Sequence, residues 1–449
     1  MKKFVTLYLA LALGAPLSAE TLQILRCSED GIPGQSQDEP QLMGFSISAD
    51  GRYVCGAIEQ AAGFFTADCL TGEVKWKVGG DAGSELRDVD NNGLAIGFND
   101  NEGLLFSFDS GEVSTIKAPA GFRYVLGESL SNDGSVMVGS FVGQSFITEA
   151  AFSVDAQPWR NLPVPSDEEL GNLKPYCNNG MSAAKYVSAD GKVIVGYMGS
   201  FRFPTVWTMD AQGEYVSDFF PSRFVKAVEA DRNDPVKELY GLTALYTCMS
   251  NNGKYVATIG LVANDENTDT RVVPIVYNTE DKTLKVYREI QEIDELELGL
   301  YPSAIADDGT FIGTVSTRAD PAGNFGAFIM KSGQEQAEWF VDAFPVFAEK
   351  LGESDFLGQN IPTDISADGK HILGYAFYSD DFDISSPAPA YFLTYVISLD
   401  TSGVDQMDSA VHSVPETIFS VDGRKLGRMA KGLNIVRNSD GTVSKVLKK

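Results

Sequence analysis

The sequence has few of the residues that most often carry catalysis or bind metals. Its 449 residues include 2 histidines and 5 cysteines, and no two cysteines form a CxxC pair. His371 falls in a strand-like segment and His412 in a polar stretch, so a Ser-His-Asp hydrolase or a histidine-rich metal site is poorly supported. The Lys-Ser/Thr pair of a phosphate-binding loop is missing from every Gly-rich turn. We therefore expect no cofactor.

The cysteines cannot all pair within the chain, because their number is odd. Cys55 and Cys69 fall on consecutive strands of one repeat and are the candidates for a disulfide. Buried, inert thiols are the alternative. The full set is Cys27, Cys55, Cys69, Cys177 and Cys248.

Basic residues are scarce except at the C-terminal end. The chain has 35 Lys and Arg against 62 Asp and Glu, for a formal net charge of −27. From Glu416 onward, eight basic residues stand against three acidic ones, so the remainder is more acidic still. A strongly acidic body repels phosphate backbones, and we do not expect nucleic acid as a partner.

A long apolar run occurs only at the N-terminus, in MKKFVTLYLALALGAPLSA. Its basic tip, short apolar run and small-residue end predict a secretory signal peptide over residues 1–19, cleaved after Ala19. The run is short for a membrane span, and we expect no transmembrane segment after its removal. The mature chain is therefore expected outside the cytoplasm, extracellular or at the cell surface, with the periplasm as the alternative.

One pattern, in contrast, is abundant. Ser-Ala-Asp-Gly at residues 48–51 leads into a β-branched run that ends at Gly56, and six similar segments follow. Asp or Asn before Gly favours a tight hairpin turn because both tolerate positive φ. The seven turn glycines are Gly51, Gly93, Gly134, Gly191, Gly253, Gly309 and Gly369.

Each repeat continues with a variable loop, an aromatic or branched strand, a second polar turn and a last strand. Four short antiparallel strands in a unit of this length predict a β-propeller blade, and seven units predict an all-β, seven-bladed propeller over residues 20–400. The last unit lacks a fourth strand after Leu399, so we expect residues 21–26 to supply it and close the ring. An open β-solenoid is the alternative, but its repeats would be shorter and more regular.

The variable loops and the links between repeats should emerge on one face of the propeller, and the short turns on the other. The longest links and loops belong to repeats 3–7, and loops on a rigid scaffold often carry function. Two links, FPSRFVKAVEA and FPVFAEKLGE, have helical spacing of apolar residues and could simply cap the blades. The candidate ligand-face residues are Tyr176, Phe220, Phe224, Phe344, Phe347, Tyr378, Asp380, Asp381 and Phe382.

Acidic segments suggest cation or catalytic sites only weakly. Asp88, Asp90 and Asn92 have the spacing of the front of a calcium loop, but Asn99 stands where a bidentate Glu is required. Paired carboxylates could cleave a glycan, yet with 62 acids the sequence cannot select a pair.

The C-terminal residues differ in composition from the body. Residues 401–415 have the composition of a polar linker, and residues 416–449 that of a small β module of three short strands. The run IFSVDGRKLGRMAKGLNIVRNSDGTVSKVLKK resembles the C-terminal sorting domain of exported Bacteroidetes proteins, with the pattern IYS-x-DGR-x-L…GINIV…DG-x-x-KV. The resemblance implies contact with the type IX secretion machinery and delivery to the cell surface or beyond.

The body is similar to extracellular HAF repeats and to the Asp-Gly repeats of TolB-like propellers. The likeness rests on the pattern S-x-DG-x-x-[VI]-x-G over residues 44–400. AAFSV and GAFIM keep the Ala-Phe of a HAF unit, and PTVWTM keeps only the Trp. This resemblance implies a propeller fold and export, without a shared reaction.

These patterns favour an exported binding module that uses the long-loop face of repeats 3–7 to recognise a glycan or a surface protein. An extracellular glycan hydrolase or lyase is one alternative, and a structural surface module is the other. An enzyme should bring two acids together at the channel mouth on the long-loop face.

Overall fold

The computed structural model describes residues 19–25, 42–58, 62–78, 83–99, 102–177, 180–224, 241–263, 270–287, 298–317, 324–347, 356–378, 391–400, 417–420, 425–426, 432–437 and 443–448. Two compact units are present: Leu22–Ser398, and Leu399–Lys449 together with Met1–Thr21. No helix in the described residues is long and apolar enough to cross a membrane.

The larger unit is a seven-bladed β-propeller, as the repeats predict. Each of blades 1 to 6 is a sheet of four antiparallel strands in chain order, and the innermost strands of consecutive blades contact one another around the ring. Strand β1 (Ala19–Ile24) precedes the first blade. Blades 1 to 3 are β2 (Leu42–Ile47), β3 (Tyr53–Ile58), β4 (Gly63–Asp68) and β5 (Val74–Lys77); β6 (Glu85–Val89), β7 (Leu94–Phe98), β8 (Gly103–Ser107) and β9 (Val113–Ile116); β10 (Tyr124–Leu130), β11 (Val136–Val142), β12 (Thr148–Val154) and β13 (Arg160–Asn161).

Blades 4 to 7 follow the same order, with longer strands in the later blades. They are β14 (Ser182–Val187), β15 (Val193–Met198), β16 (Phe203–Met209) and β17 (Tyr215–Asp218); β18 (Gly241–Met249), β19 (Tyr255–Ala263), β20 (Thr270–Asn278) and β21 (Leu284–Val286); β22 (Leu298–Ile305), β23 (Phe311–Thr317), β24 (Asn324–Met330) and β25 (Glu338–Trp339); β26 (Phe356–Ile365), β27 (His371–Tyr378) and β28 (Tyr391–Asp400).

Blade 7 takes its outermost strand from the other end of the chain. Its sheet has the order β1-β28-β27-β26. The Leu25 amide donates to the Thr394 carbonyl at 3.0 Å, next to this pairing. The segment before the first repeat therefore closes the ring.

Short helices lie in the links that the structure describes. They are α1 (Asp167–Leu170), a 3-10 turn (Gly171–Leu173), α2 (Lys174–Cys177), α3 (Pro221–Phe224) and α4 (Phe340–Ala343), and residues 345–347 are helical as well. The Ser166 hydroxyl and Glu169 form a capping box at the start of α1. The two links with helical spacing thus begin with one helical turn each, and their continuations at residues 225–240 and 348–355 lie outside the described residues.

The Ser-x-Asp-Gly turn is stabilised by its own side chains. In blade 1 the Ser48 hydroxyl accepts from the Tyr53 amide at 2.9 Å and donates to Asp50 at 2.6 Å. The Asp50 carboxylate also accepts from the Arg52 amide at 3.1 Å. Gly51 has φ +77°, a conformation that glycine adopts without strain. Serine and aspartate thus satisfy amides that the tight turn would leave unpaired.

The second glycine of the pattern, Gly56 in blade 1, is needed for a different reason. Every innermost strand has a register shift near its end, between Gly44 and Ser46 in blade 1. The bulge pushes a backbone carbonyl toward the next strand, where a side chain on Gly56 would overlap the oxygen of Met43. A β-bulge therefore explains why six of the seven repeats have a glycine four or five residues after the turn glycine, while blade 5 has Thr258 at this position.

The residues before Asp-Gly form a circle of hydrogen bonds that we call the collar. At five of the seven junctions the backbone amide of one turn donates to the carbonyl of the next turn, as the Ala367 amide does to the Ala49 carbonyl at 3.0 Å. At the other two, the amides of Asp50 and Asn252 donate to the side chains of Asn91 and Asp307, at 3.2 and 2.7 Å. The collar consists of Ala49, Asn91, Asn132, Ala189, Asn251, Asp307 and Ala367.

The core lies between adjacent blades. Aromatic side chains fill these interfaces, and Phe64 meets Phe106 of the next blade with ring centroids 5.5 Å apart. Trp207 is fully buried, and its indole NH donates to the Pro163 carbonyl at 2.8 Å. Burying a large apolar side chain stabilises a fold by roughly 1.5–3 kcal/mol, so the interfaces supply the cohesion that a single four-stranded blade lacks.

The smaller unit contains one further sheet. Its strands are β29 (Thr417–Ser420), β30 (Lys425–Leu426), β31 (Gly432–Arg437) and β32 (Val443–Lys448), in the order β30-β29-β31-β32. The sequence predicted three strands here, and the fourth is the two-residue strand β30, which is too short to give a pattern.

Candidate functional site

The two faces of the propeller differ as the repeat predicts. The Asp-Gly turns and the turns between third and fourth strands emerge on one face, which we call the turn face. The loops between second and third strands emerge on the other, the long-loop face. In blades 3 and 4 these loops are described and short, residues 143–147 and 199–202, and each carries an exposed phenylalanine.

Phe146 and Phe201 are 62% and 58% exposed. The Arg123 guanidinium lies 4.2 Å from the centre of the Phe146 ring, and Tyr176 packs edge-on against Phe201 at 5.3 Å. Large apolar side chains exposed at equivalent loops of neighbouring blades indicate a surface available for contact. We call Phe146, Phe201, Tyr176 and Arg123 the aromatic patch.

The local backbone holds the patch residues outward. The Gly143 amide donates to the Ile147 carbonyl at 2.9 Å, and the Phe146 amide donates to the Gly143 carbonyl at 3.0 Å. This tight loop places Phe146 at φ +61°, which is rare for a bulky residue. Arg202, next to Phe201, has φ +53°. Strained backbone at exposed residues is more common at functional sites than elsewhere.

The structure separates the predicted ligand-face residues into three groups. Phe220, Phe344 and Phe347 are buried at 0%, 2% and 1% exposure, which leaves them no surface to offer a ligand. Phe220 instead stacks on Tyr277 at 4.1 Å. Tyr176 and Phe224 are half-buried, on the long-loop side of the core. Asp380, Asp381 and Phe382, with the side chain of Tyr378, lie outside the described residues.

The central channel contains a polar tier that the sequence analysis did not single out. The residue five positions before each turn glycine lines a cavity of about 390 Å³ that also reaches the collar. The tier has a polar arc in blades 7, 1, 2 and 3 and a less polar arc in blades 4, 5 and 6. In blade order from blade 1 it consists of Ser46, Asp88, Ser129, Tyr186, Cys248, Ala304 and Asp364.

The polar arc is continuous. The Ser46 hydroxyl lies 2.9 Å from Asp88 Oδ1 and 2.9 Å from Asp364 Oδ2. The Ser129 hydroxyl donates to Asp88 Oδ2 at 2.6 Å. Each carboxylate also accepts from the next blade, from the Leu130 amide at Asp88 and from the Ile47 amide at Asp364, both at 2.9 Å. Asp88 thus links blade 2 to blade 3 by a hydrogen bond, and Asp364 links blade 7 to blade 1.

Burial raises the pKa of both acids, that of Asp364 to about 7. Two cations lie one residue before tier positions in the sequence. Lys185 pairs with Glu128, and Arg87 pairs with Glu85. The polar arc of the tier therefore forms an acidic, hydrogen-bonded framework around the channel. Its repeat position was visible in the sequence, but the convergence of seven equivalent positions appears only once the ring closes.

The two acids that the described residues bring together differ in location from the pair that an enzyme was expected to have. Asp88 and Asp364 converge near the Asp-Gly turns, and not on the long-loop face. Most of their lone pairs already accept bonds from the frame. No group of three His, Cys, Asp or Glu in the described part of the chain could hold a metal ion, and Asp90 accepts from the Asn92 and Leu94 amides of its own turn at 2.8 Å.

The predicted Cys55–Cys69 disulfide is absent, since both thiols are free, as are Cys177 and Cys248. Burial raises the pKa of Cys69 to about 12 and that of Cys177 to about 11, and raises those of Cys55 and Cys248 as well. Thiols with raised pKa are poor nucleophiles. Cys27 lies outside the described residues.

No known protein family matches the chain, and no curated protein matches it in sequence. Among solved structures, it is similar to hydrazine synthase from Kuenenia stuttgartiensis (12% identity, 80% of this chain and 98% of that one, TM-score 0.41). It is also similar to an extracellular domain from B. thetaiotaomicron (10%, 97% and 46%, TM-score 0.45) and to TolB from Acinetobacter baumannii (13%, 65% and 63%, TM-score 0.38). These likenesses are too distant to transfer a function.

Proposed function

We propose that the protein is an exported binding module whose long-loop face recognises a glycan or a surface protein. The observation that carries this proposal is the pair of exposed phenylalanines, Phe146 and Phe201, at equivalent loops of blades 3 and 4. An exposed aromatic ring offers a large apolar surface at low conformational cost. The repeat pattern would bring the long links of blades 5 to 7 to the same face, where they would widen it.

Export is part of the proposal and rests on the N-terminal segment and on the sorting-like residues 416–449. Tyr378, Asp380, Asp381 and Phe382 remain candidate contacts in the last blade. The acidic surface suits a partner that does not carry a dense phosphate backbone. A role as glycan hydrolase or lyase has less support, because the acids that converge are engaged in the frame of the channel.

The test is a glycan array and a surface-protein pull-down with the full mature chain. The matched variants are Phe146→Ala and Phe201→Ala, with Leu70→Ala as the control. Leu70 is 70% exposed but belongs to the turn face. We expect binding that either phenylalanine variant weakens at least tenfold and that the control retains. Binding unchanged in the double phenylalanine variant, or lost equally in the control, would contradict the proposal.

A further inference from the structure

At the junction between blades 7, 1 and 2, one serine hydroxyl contacts two aspartates, and the number of hydrogens there decides which contacts can be hydrogen bonds. Ser46 Oγ lies 2.9 Å from an oxygen of Asp88 and 2.9 Å from an oxygen of Asp364. A serine hydroxyl has one hydrogen and can donate to one of them. Two oxygens at that distance with no hydrogen between them repel each other. Both contacts are hydrogen bonds only if one of the acids carries a proton.

The remaining partners indicate which acid carries it. Asp88 has donors on both oxygens besides Ser46: the Val89 amide at 2.8 Å, the Leu130 amide at 2.9 Å and the Ser129 hydroxyl at 2.6 Å. Asp364 has the Ile47 and Ile365 amides, at 2.9 and 2.8 Å. More donors favour the charged form, so Asp88 is the carboxylate and Asp364 the acid.

Among the described residues, no Lys or Arg forms an ion pair with Asp88 or Asp364. Arg87 is ion-paired with Glu85 and lies 5.4 Å from the rings of both Phe45 and Phe98. Lys185 is ion-paired with Glu128. In the described part of the chain neither cation forms an ion pair with Asp364. The titratable groups that face Asp364 from the neighbouring strands are Asp88, Arg87, Glu128, Lys185, Tyr186, Cys248 and Cys55.

From this geometry we infer that Asp364, Ser46 and Asp88 form a proton-dependent latch across the closure of the ring. In the closed latch Asp364 donates its proton to Ser46 Oγ, and Ser46 donates to Asp88. The latch joins blade 7 to blades 1 and 2, where the first and last repeats of the chain meet. Loss of the proton leaves two carboxylates on one hydroxyl and weakens the junction.

The direction of the pH effect follows from linkage. Burial raises the pKa of Asp364 from an ordinary 3.8 to about 7 in the folded protein. The folded state therefore binds one more proton than the unfolded state between about pH 4 and pH 7, and stability falls as pH rises through this window. The junction should be tightest in mild acid and loosest above neutral pH.

The test compares the pH dependence of thermal unfolding between pH 5 and 8 in the full chain, Asp364→Asn and Asp368→Asn. Asparagine does not titrate, and its NH2 in the place of Asp364 Oδ2 donates to Ser46, although it loses the bond from the Ile47 amide, which binds the same oxygen. We expect the midpoint of the unmodified chain to fall as pH rises from 5 to 8, and that of Asp364→Asn to fall less over the same range. Asp368, in the turn of the same blade, should leave the slope unchanged. Equal slopes for the unmodified chain and Asp364→Asn would overturn the inference.

Measurements on the unmodified protein test the inference even if Asp364→Asn does not fold. Carboxyl ¹³C titration of the unmodified protein should show one aspartate that titrates near neutral pH. Hydrogen exchange at the Ile47 amide, corrected for its intrinsic rate, should show less protection at pH 8 than at pH 5. The inference is wrong if every aspartate titrates below pH 5, or if the protection of Ile47 does not change.

Discussion

At the turn face of the propeller a similar short motif returns seven times, whereas the loops of the long-loop face differ in sequence from blade to blade. The turn face is stabilised by Ser-Asp hydrogen bonds, by the collar and by the tier of Asp88 and Asp364. The long-loop face exposes Phe146 and Phe201. The difference indicates that the turn face maintains the ring, so that the sequence of the long-loop face is free to vary. Substitutions at the two ends test this division.

The largest difference should come from matched glycines. A side chain on Gly196, in the second strand of blade 4, would overlap the Ala183 carbonyl, whereas one on Gly143 in the long-loop face would lie 3.4 Å from the nearest atom. We expect Gly196→Ala to lower the free energy of unfolding by more than about 4 kcal/mol, a loss typical of severe backbone clashes. Gly143→Ala should change it by less than about 0.5 kcal/mol. Denaturant unfolding measures both, and similar losses at the two sites would break the comparison.

A smaller effect is expected at the turn serines. The Ser188 hydroxyl accepts from the Val193 amide and donates to Asp190, both at 2.9 Å. Ser188→Ala removes this partner from the half-buried Val193 amide and should cost about 1 kcal/mol. Blade 6 has Ala306 at this position, so Ala306→Ser should stabilise the protein by about 0.5–1.5 kcal/mol. A stabilising Ser188→Ala, or a strongly destabilising Ala306→Ser, would contradict this account of the turn.

Acid should also destabilise the turn face, because it protonates the aspartates of the Asp-Gly turns, such as Asp133. Hydrogen bonds from the Ser135 side chain and backbone, with one from Ser131, lower the pKa of Asp133 from 3.8 to about 2. A pKa lowered by folding contributes stability that is present above about pH 4 and is lost as pH falls toward 2. Asp133→Asn should therefore flatten the acid limb of the unfolding curve slightly. An unchanged acid limb would show that this turn does not contribute.

The smallest change in stability should come from the aromatic patch. Phe201 is 58% exposed, so Phe201→Ala should alter the free energy of unfolding by less than about 0.5 kcal/mol, even where it abolishes binding. Thermal unfolding measured beside the binding assay separates the two effects. A loss of several kcal/mol would mean that Phe201 belongs to the core.

The parts of the fold that the sequence predicts are those that repeat. Seven Asp-Gly or Asn-Gly turns predict seven blades, because a β-turn is encoded by adjacent residues, and the incomplete last unit predicts the closing strand near Thr21. Burial is not encoded locally: Phe220, Phe344 and Phe347 lie in links that look exposed and yet pack into the core. Asp88 and Asp364 are 276 positions apart in the sequence and meet only through ring closure. Phe146 and Phe201 occur in short loops that a search for long loops passes over.

The collar has a consequence for how the chain can be rearranged. Its links join each turn to the next without regard to which blade comes first, so the covalent order of the blades has no privileged starting point within the ring. New termini placed in a loop of the long-loop face, with the old ends joined, would leave every collar bond intact. A circularly permuted chain that begins at blade 4 should therefore reach the same ring.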